Sequence, residues 1–114
     1  MNNGEATPLP LVLPTSHQAE IRNFAYFKVL EEWGRGEWEA FDWIMYKESN
    51  WNYKAKNPNS SATGIPQALV ITHKLGDEYL NDPEYQVVWA IEYISNTYGT
   101  PTKAKQHHLK NNWY

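Results

Sequence analysis

Two dipeptides, Asp82-Pro83 and Thr100-Pro101, constrain the fold more than any other feature of the chain. Each sets a side chain that can cap a helix directly before a proline, whose fixed φ suits the first helical position and whose missing N–H is no loss there. After Asp82-Pro83, apolar residues recur at helical intervals through Val87, Val88, Ile91 and Ile94 until Tyr98-Gly99. After Thr100-Pro101 a shorter helix reaches Leu109, and Asn111-Asn-Trp-Tyr114 closes the chain. No useful stretch alternates with period two, so sheet content near zero is expected. The fold class is therefore all-α, a small helical globule with one long loop.

Three further helices are expected upstream. Thr15-Ser-His-Gln18 has capping-box spacing, and Ile21, Phe24, Phe27 and Leu30 follow at helical intervals until Gly34 and Gly36. From Glu37 to Glu48 a helix carries Trp38, Phe41 and Met45 on one face with Trp43 and Ile44 nearly opposite, the pattern of a mostly buried helix. Asn57 to Gly64 is a loop by composition. Pro66 sits where a first helical residue belongs, and Ala68 to Leu75 reads as a helix ending at Gly76. Residues 1 to 15, with three prolines in seven positions and no period, read as an extended tail or linker, leaving 16 to 114 as one domain.

A chain of 114 residues has room for one core and no second catalytic domain. Its formal charge of −3 gives no electrostatic footprint for nucleic acid or an anionic membrane surface. Without cysteine, disulfides, thiol nucleophiles and Cys-based zinc sites are excluded. His17, His73, His107 and His108 lack metal-ligand spacing, so no metal is expected. The run Leu9 to Leu13 is broken by Pro10 and has no basic flank, so neither a signal peptide nor a spanning helix is read there. Six Trp and eight Tyr against three Phe make an aromatic load that suits half-exposed clefts as well as cores.

Glu48 is the first candidate for chemistry. It shares the apolar face of Trp38, Phe41 and Met45 and lies at the helix C-terminus. Desolvation and the negative end of the helix dipole both oppose its ionisation, and a carboxyl kept protonated is what a general acid requires. The plain alternative is a last exposed turn paired with Lys47 or Lys54.

Lys47-Glu48-Ser49-Asn50-Trp51-Asn52, followed by Thr63-Gly64-Ile65-Pro66-Gln67-Ala68, resembles the goose-type lysozyme and soluble lytic transglycosylase superfamily. Downstream, Asp82-Pro83, Tyr93-Ile94, Tyr98-Gly99 and Ala104-x-x-x-His108-x-x-Asn111-x-Trp113-Tyr114 continue the likeness, closest to the short domains of phage tail tape-measure proteins and endolysins. Thr63 stands where the family often has an aromatic residue, and Pro66 where it usually has Met.

The resemblance implies a lysozyme-like fold and a peptidoglycan lytic transglycosylase with Glu48 as acid/base and no cofactor. It implies that Ser49 and Gln67 bind polar groups of the glycan, that Gly64-Ile65 form a cleft wall, and that Tyr93 lies near the carboxylate. His108 falls at a family tyrosine position, and Trp113 is a cleft-lining candidate together with Tyr114. No second acid belongs to the motifs: Asp42, Asp77 and Glu92 read as solvated surface, which points to a substrate-assisted route. A hydrolytic lysozyme and a non-catalytic glycan-binding phage tail module are the alternatives. A monomer acting on the cell wall outside the cytoplasm, supplied by a virion or at lysis, is the expected setting.

Overall fold

The computed structural model describes residues 16–114 and contains five helices among them. The expected tail at residues 1 to 15 lies outside the described residues. Helix α1 spans Ser16–Trp33, a 3₁₀ turn follows at Arg35–Glu37, and α2 spans Trp38–Ser49. Strands β1 (Ala62–Thr63) and β2 (Ala68–Leu69) form an antiparallel pair, with Ala62 opposite Leu69 and Thr63 opposite Ala68. Then come α3 (Asp77–Asn81), α4 (Pro83–Thr97) and α5 (Pro101–Asn111). The fold is all-α apart from this short hairpin.

The two cap-proline signals act as read. The Asp82 carboxylate accepts from the N–H of Glu84 and Tyr85 to start α4, and the Thr100 hydroxyl accepts from Lys103 N–H to start α5. On α1 the buried row is Ile21, Ala25 and Val29, whereas Phe27 is 56% exposed. The expected Ile21-Phe24-Phe27-Leu30 stripe was built on steps of three, and at 100° per residue such a row drifts off the core face while steps of four hold it better here. On α2 the buried residues are Ala40, Phe41, Ile44, Met45, Glu48 and Ser49, in line with a mostly buried helix.

The core joins Ile21, Ala25 and Val29 of α1 to Phe41, Ile44 and Met45 of α2 and to Val87, Ala90, Ile91 and Ile94 of α4. Each fully hidden large aliphatic or aromatic side chain adds about 1.5–3 kcal/mol before the entropy of ordering is subtracted. Ala25, Ala90 and Ala104 have no exposed surface, and their small side chains let α1, α4 and α5 approach the centre closely.

The helix expected from Pro66 to Leu75 does not form. Gln67 has φ 55°, in the left-handed region, so no right-handed helix can start through it, and Ala68-Leu69 pairs back onto β1. Residues 70 to 74 are turns, and Gly76 precedes α3 in an extended conformation instead of ending a helix. Residues 62 to 68 are all buried, an unusual place for a connection.

Candidate active site

A buried connection must find partners for its backbone polar groups. Here four successive carbonyls are each taken by a side chain. Tyr79 donates its hydroxyl to Thr63 O at 2.7 Å, and the Gln67 amide Nε2 donates to Gly64 O at 3.0 Å. Ser49 Oγ donates to Ile65 O at 2.7 Å, and Tyr114 donates its hydroxyl to Pro66 O at 2.9 Å.

From the other side, Gln86 on α4 clamps three segments at once. Its Oε1 accepts from Ile65 N–H at 2.8 Å, while its Nε2 donates to Tyr53 O at 3.1 Å and to Tyr79 O at 2.9 Å. Gly64 is needed where it stands. Its φ is 85°, and a Cβ there would lie 2.6–2.9 Å from the Gln86 amide.

Glu48 sits in the last turn of α2, with no exposed surface. The helix ends in two successive left-handed residues, Asn50 (φ 53°) and Trp51 (φ 60°), and Asn50 N–H closes the helix on Met45 O and Tyr46 O. A positive φ is costly for a bulky residue such as Trp51. Its indole is buried against Trp38 and Phe41, and its Nε1 donates to Asp42 Oδ1 at 2.8 Å. Arg22 of α1 holds the same carboxylate by two bonds, 3.2 Å from Nε and 2.9 Å from Nη2. Asp42 is therefore a structural anchor for the turn after Glu48, not solvated surface as expected.

His108 of α5 meets Glu48 directly, Nε2 to Oε2 at 3.2 Å, with the imidazole 5% exposed. The alternative of an exposed last turn paired with Lys47 or Lys54 does not hold, since Glu48 is buried and meets His108. Trp43 packs edge-on against the His108 ring at 5.1 Å. Burial above all, with the charge of Glu48 as a lesser contribution, raises the pKa of Tyr93; burial, then Tyr93, then Glu48 do the same for Tyr98. Both phenols therefore stay neutral beside the acid. Tyr93 stacks on Trp89 at 5.2 Å, receives the edge of His73 at 5.9 Å and touches Tyr98 and Tyr114.

The expected site residues divide accordingly. Glu48, His108 and Tyr93 come together, and Gly64-Ile65 form part of the buried wall. Ser49 Oγ and Gln67 Nε2 donate to backbone carbonyls, which makes both side chains supports of that wall. Trp113 rests on His107, ring centroids 4.6 Å apart, and not on Glu48. Tyr114 is fully buried in the core and not at a cleft edge. Asp77, Glu78 and Glu92 are exposed, as expected. Gln86, Tyr79 and Trp43 were not anticipated. Gln86 had a signal: it shares the four-residue row of Ala90 and Ile94, where an uncharged polar residue must find buried partners.

The family described as transglycosylase SLT domain matches residues 25–112. The chain belongs to this family. No curated protein and no solved structure matches it. For an SLT domain the two motif segments now have one physical meaning. The Glu-Ser turn and the Gly-Ile-Pro-Gln turn are joined through Ser49 Oγ and Ile65 O, so the loop that walls the site is fastened to the helix that bears the acid. Among the described residues no group of three His, Asp or Glu could hold a metal, and no helix is long and apolar enough to cross a membrane.

Proposed function

We propose that this SLT domain cleaves the bond between N-acetylmuramic acid and N-acetylglucosamine as a lytic transglycosylase, with Glu48 as its one acid/base. The observation that carries this reading is a single wholly buried carboxyl group paired with a titratable imidazole, in a family that acts on peptidoglycan. The other acids weighed are unsuited: Asp42 is bound by Arg22 and Trp51, and Asp77, Glu78 and Glu92 face solvent.

With one acid, the substrate supplies the second partner. Glu48 gives its proton to the bridging oxygen as the C1–O4 bond breaks, and the 2-acetamido oxygen closes onto C1. The Glu48 carboxylate then takes the proton of the C6 hydroxyl, O6 bonds to C1, and the acetamido oxygen leaves. The product is a 1,6-anhydromuramoyl end, formed without water, and Glu48 is again protonated.

His108 can follow both halves of this cycle. A bare Nε2 accepts a hydrogen bond from the carboxylic acid, and an Nε2–H donates to the carboxylate, the change between the two requiring a tautomer shift or a proton taken from solvent. Glu48 has no exposed surface, so a glycan strand reaches it only when part of its cover moves.

Zymography on purified cell walls, wild type beside Glu48→Gln, tests the reading: the variant folds and clears nothing. Equal clearing by both would overturn it, and the absence of clearing by either would favour the non-catalytic alternative. Mass spectrometry of the digest separates the proposed product from that of a hydrolytic lysozyme, which is heavier by one water.

A further inference from the structure

Lys47 of α2 and Lys105 of α5 converge on one ring. Their Nζ atoms lie 5.8 Å and 4.9 Å from the centroid of Trp43, the same indole that meets the His108 ring at 5.1 Å. His108 in turn holds Glu48, so two cations and the acid share a single side-chain cluster. Both lysines are half-buried, and among the described residues neither has a carboxylate within ion-pair distance. Helix α5 adds Lys103 and Lys110 and has no acidic residue at all, in a chain whose formal charge is −3.

Packing alone does not account for this. A cation over an indole gains roughly 0.5–1 kcal/mol at an exposed site, but a second like charge on the same ring adds repulsion that a neighbouring acid would have relieved. A half-buried pair of unneutralised ammonium groups is a ready site for an anion.

We infer that Trp43, Lys47 and Lys105 form an anion-recognition wall joined to Glu48 through His108, suited to a carboxylate attached through the lactyl ether of the muramoyl residue. This rests on the transglycosylase reading above and names the substrate feature that reading leaves open. N-acetylglucosamine bears no charge, whereas the muramoyl residue carries a carboxylate on the lactyl group itself or on the peptide linked to it. The wall therefore separates muramoyl glycans from neutral polymers of N-acetylglucosamine at the sugar next to the scissile bond.

The test is equilibrium binding in the non-cleaving Glu48→Gln background, with and without Lys47→Gln and Lys105→Gln. The probes are peptide-free muramoyl oligosaccharide with free lactyl carboxylates, the peptide-bearing form, and a neutral N-acetylglucosamine oligomer of equal length. The lysine substitutions should weaken the charged probes about tenfold, remove their salt dependence, and change the neutral oligomer less than about twofold. Whichever charged probe loses more identifies the carboxylate that is read.

Lys47→Arg with Lys105→Arg should restore binding. If the double glutamine variant melts early, each single variant should still show a loss of about threefold on the charged probes. Equal losses on charged and neutral probes, or none, would overturn the inference, as would tighter lysine-dependent binding of a phosphate-bearing wall polymer than of either muramoyl probe. These binding ratios do not depend on cleavage, so an active Glu48→Gln enzyme would remove the proposed mechanism and leave the lysine result to be judged separately.

Discussion

Asp42 and Glu48 stand six residues apart on the same helix, and each reaches a nitrogen of another helix, yet their partners give them opposite properties. Asp42 is held by the Arg22 guanidinium and the Trp51 indole, with its side chain 30% exposed. A guanidinium does not give up its proton at any pH a folded protein meets, so the partner of Asp42 is a permanent donor. Glu48 is wholly buried against His108, whose imidazole, unlike a guanidinium, can exist with or without its second proton. Under the proposed function, the difference places acid/base work on the carboxyl group whose partner and burial suit it. The two are also coupled in space, because Asp42 fastens Trp51 and so fixes the left-handed turn that leaves Glu48.

The largest effect that would sharpen this contrast is the loss of activity in Glu48→Gln, at least about 10³-fold if proton transfer in both steps passes through it. The folded state should melt near the wild-type temperature, since the amide keeps the shape and can still bond to His108. A smaller effect follows from His108→Gln, which can hold a hydrogen bond to Glu48 but cannot titrate. We expect kcat to fall about 10- to 100-fold with KM nearly unchanged, and the limb of the pH–rate profile governed by the imidazole to disappear. An unchanged profile would reduce His108 to packing and remove the distinction between the two carboxylates. Gly64→Ala probes the wall alone: the positive φ and the contact with the Gln86 amide should cost about 2–4 kcal/mol in stability, measured by denaturant titration.

The sequence made the helices legible where capping chemistry was local. Asp82-Pro83 and Thr100-Pro101 start helices for reasons confined to four residues, and the structure places both starts as read. The segment from Pro66 to Leu75 failed for the opposite reason. Its conformation depends on Tyr79, Gln86 and Ser49, which are distant in sequence and together take up the backbone groups of a buried loop. Apolar content and a leading proline could not distinguish that from a helix. At the site, Glu48 was legible from its place on an apolar face. The contact with His108 was not, because sixty residues separate them and only the packing of α2 against α5 brings them together. The motif residues Ser49 and Gln67 were legible as important but not as loop supports, since side-chain type does not reveal which carbonyl a donor meets.

The smallest predicted effect is the one that would break the comparison if it went wrong. Asp42→Asn keeps one oxygen that can accept from Trp51 Nε1 and Arg22 Nε, and removes the charge and the acceptor for Arg22 Nη2. Because Asp42 and Arg22 are each about one-third exposed at the side chain (30% and 34%), solvent already weakens their attraction, and the loss should be about 1–2 kcal/mol. In a domain this size that lowers Tm by several degrees, observable by circular dichroism. Activity per folded molecule should change less than about threefold, because the amide oxygen still positions the Trp51 turn. A large loss of activity at undiminished stability would mean that Asp42 takes part in the chemistry. The site would then contain two working acids, and the single-carboxylate route through the 2-acetamido group would give way to a two-carboxylate mechanism.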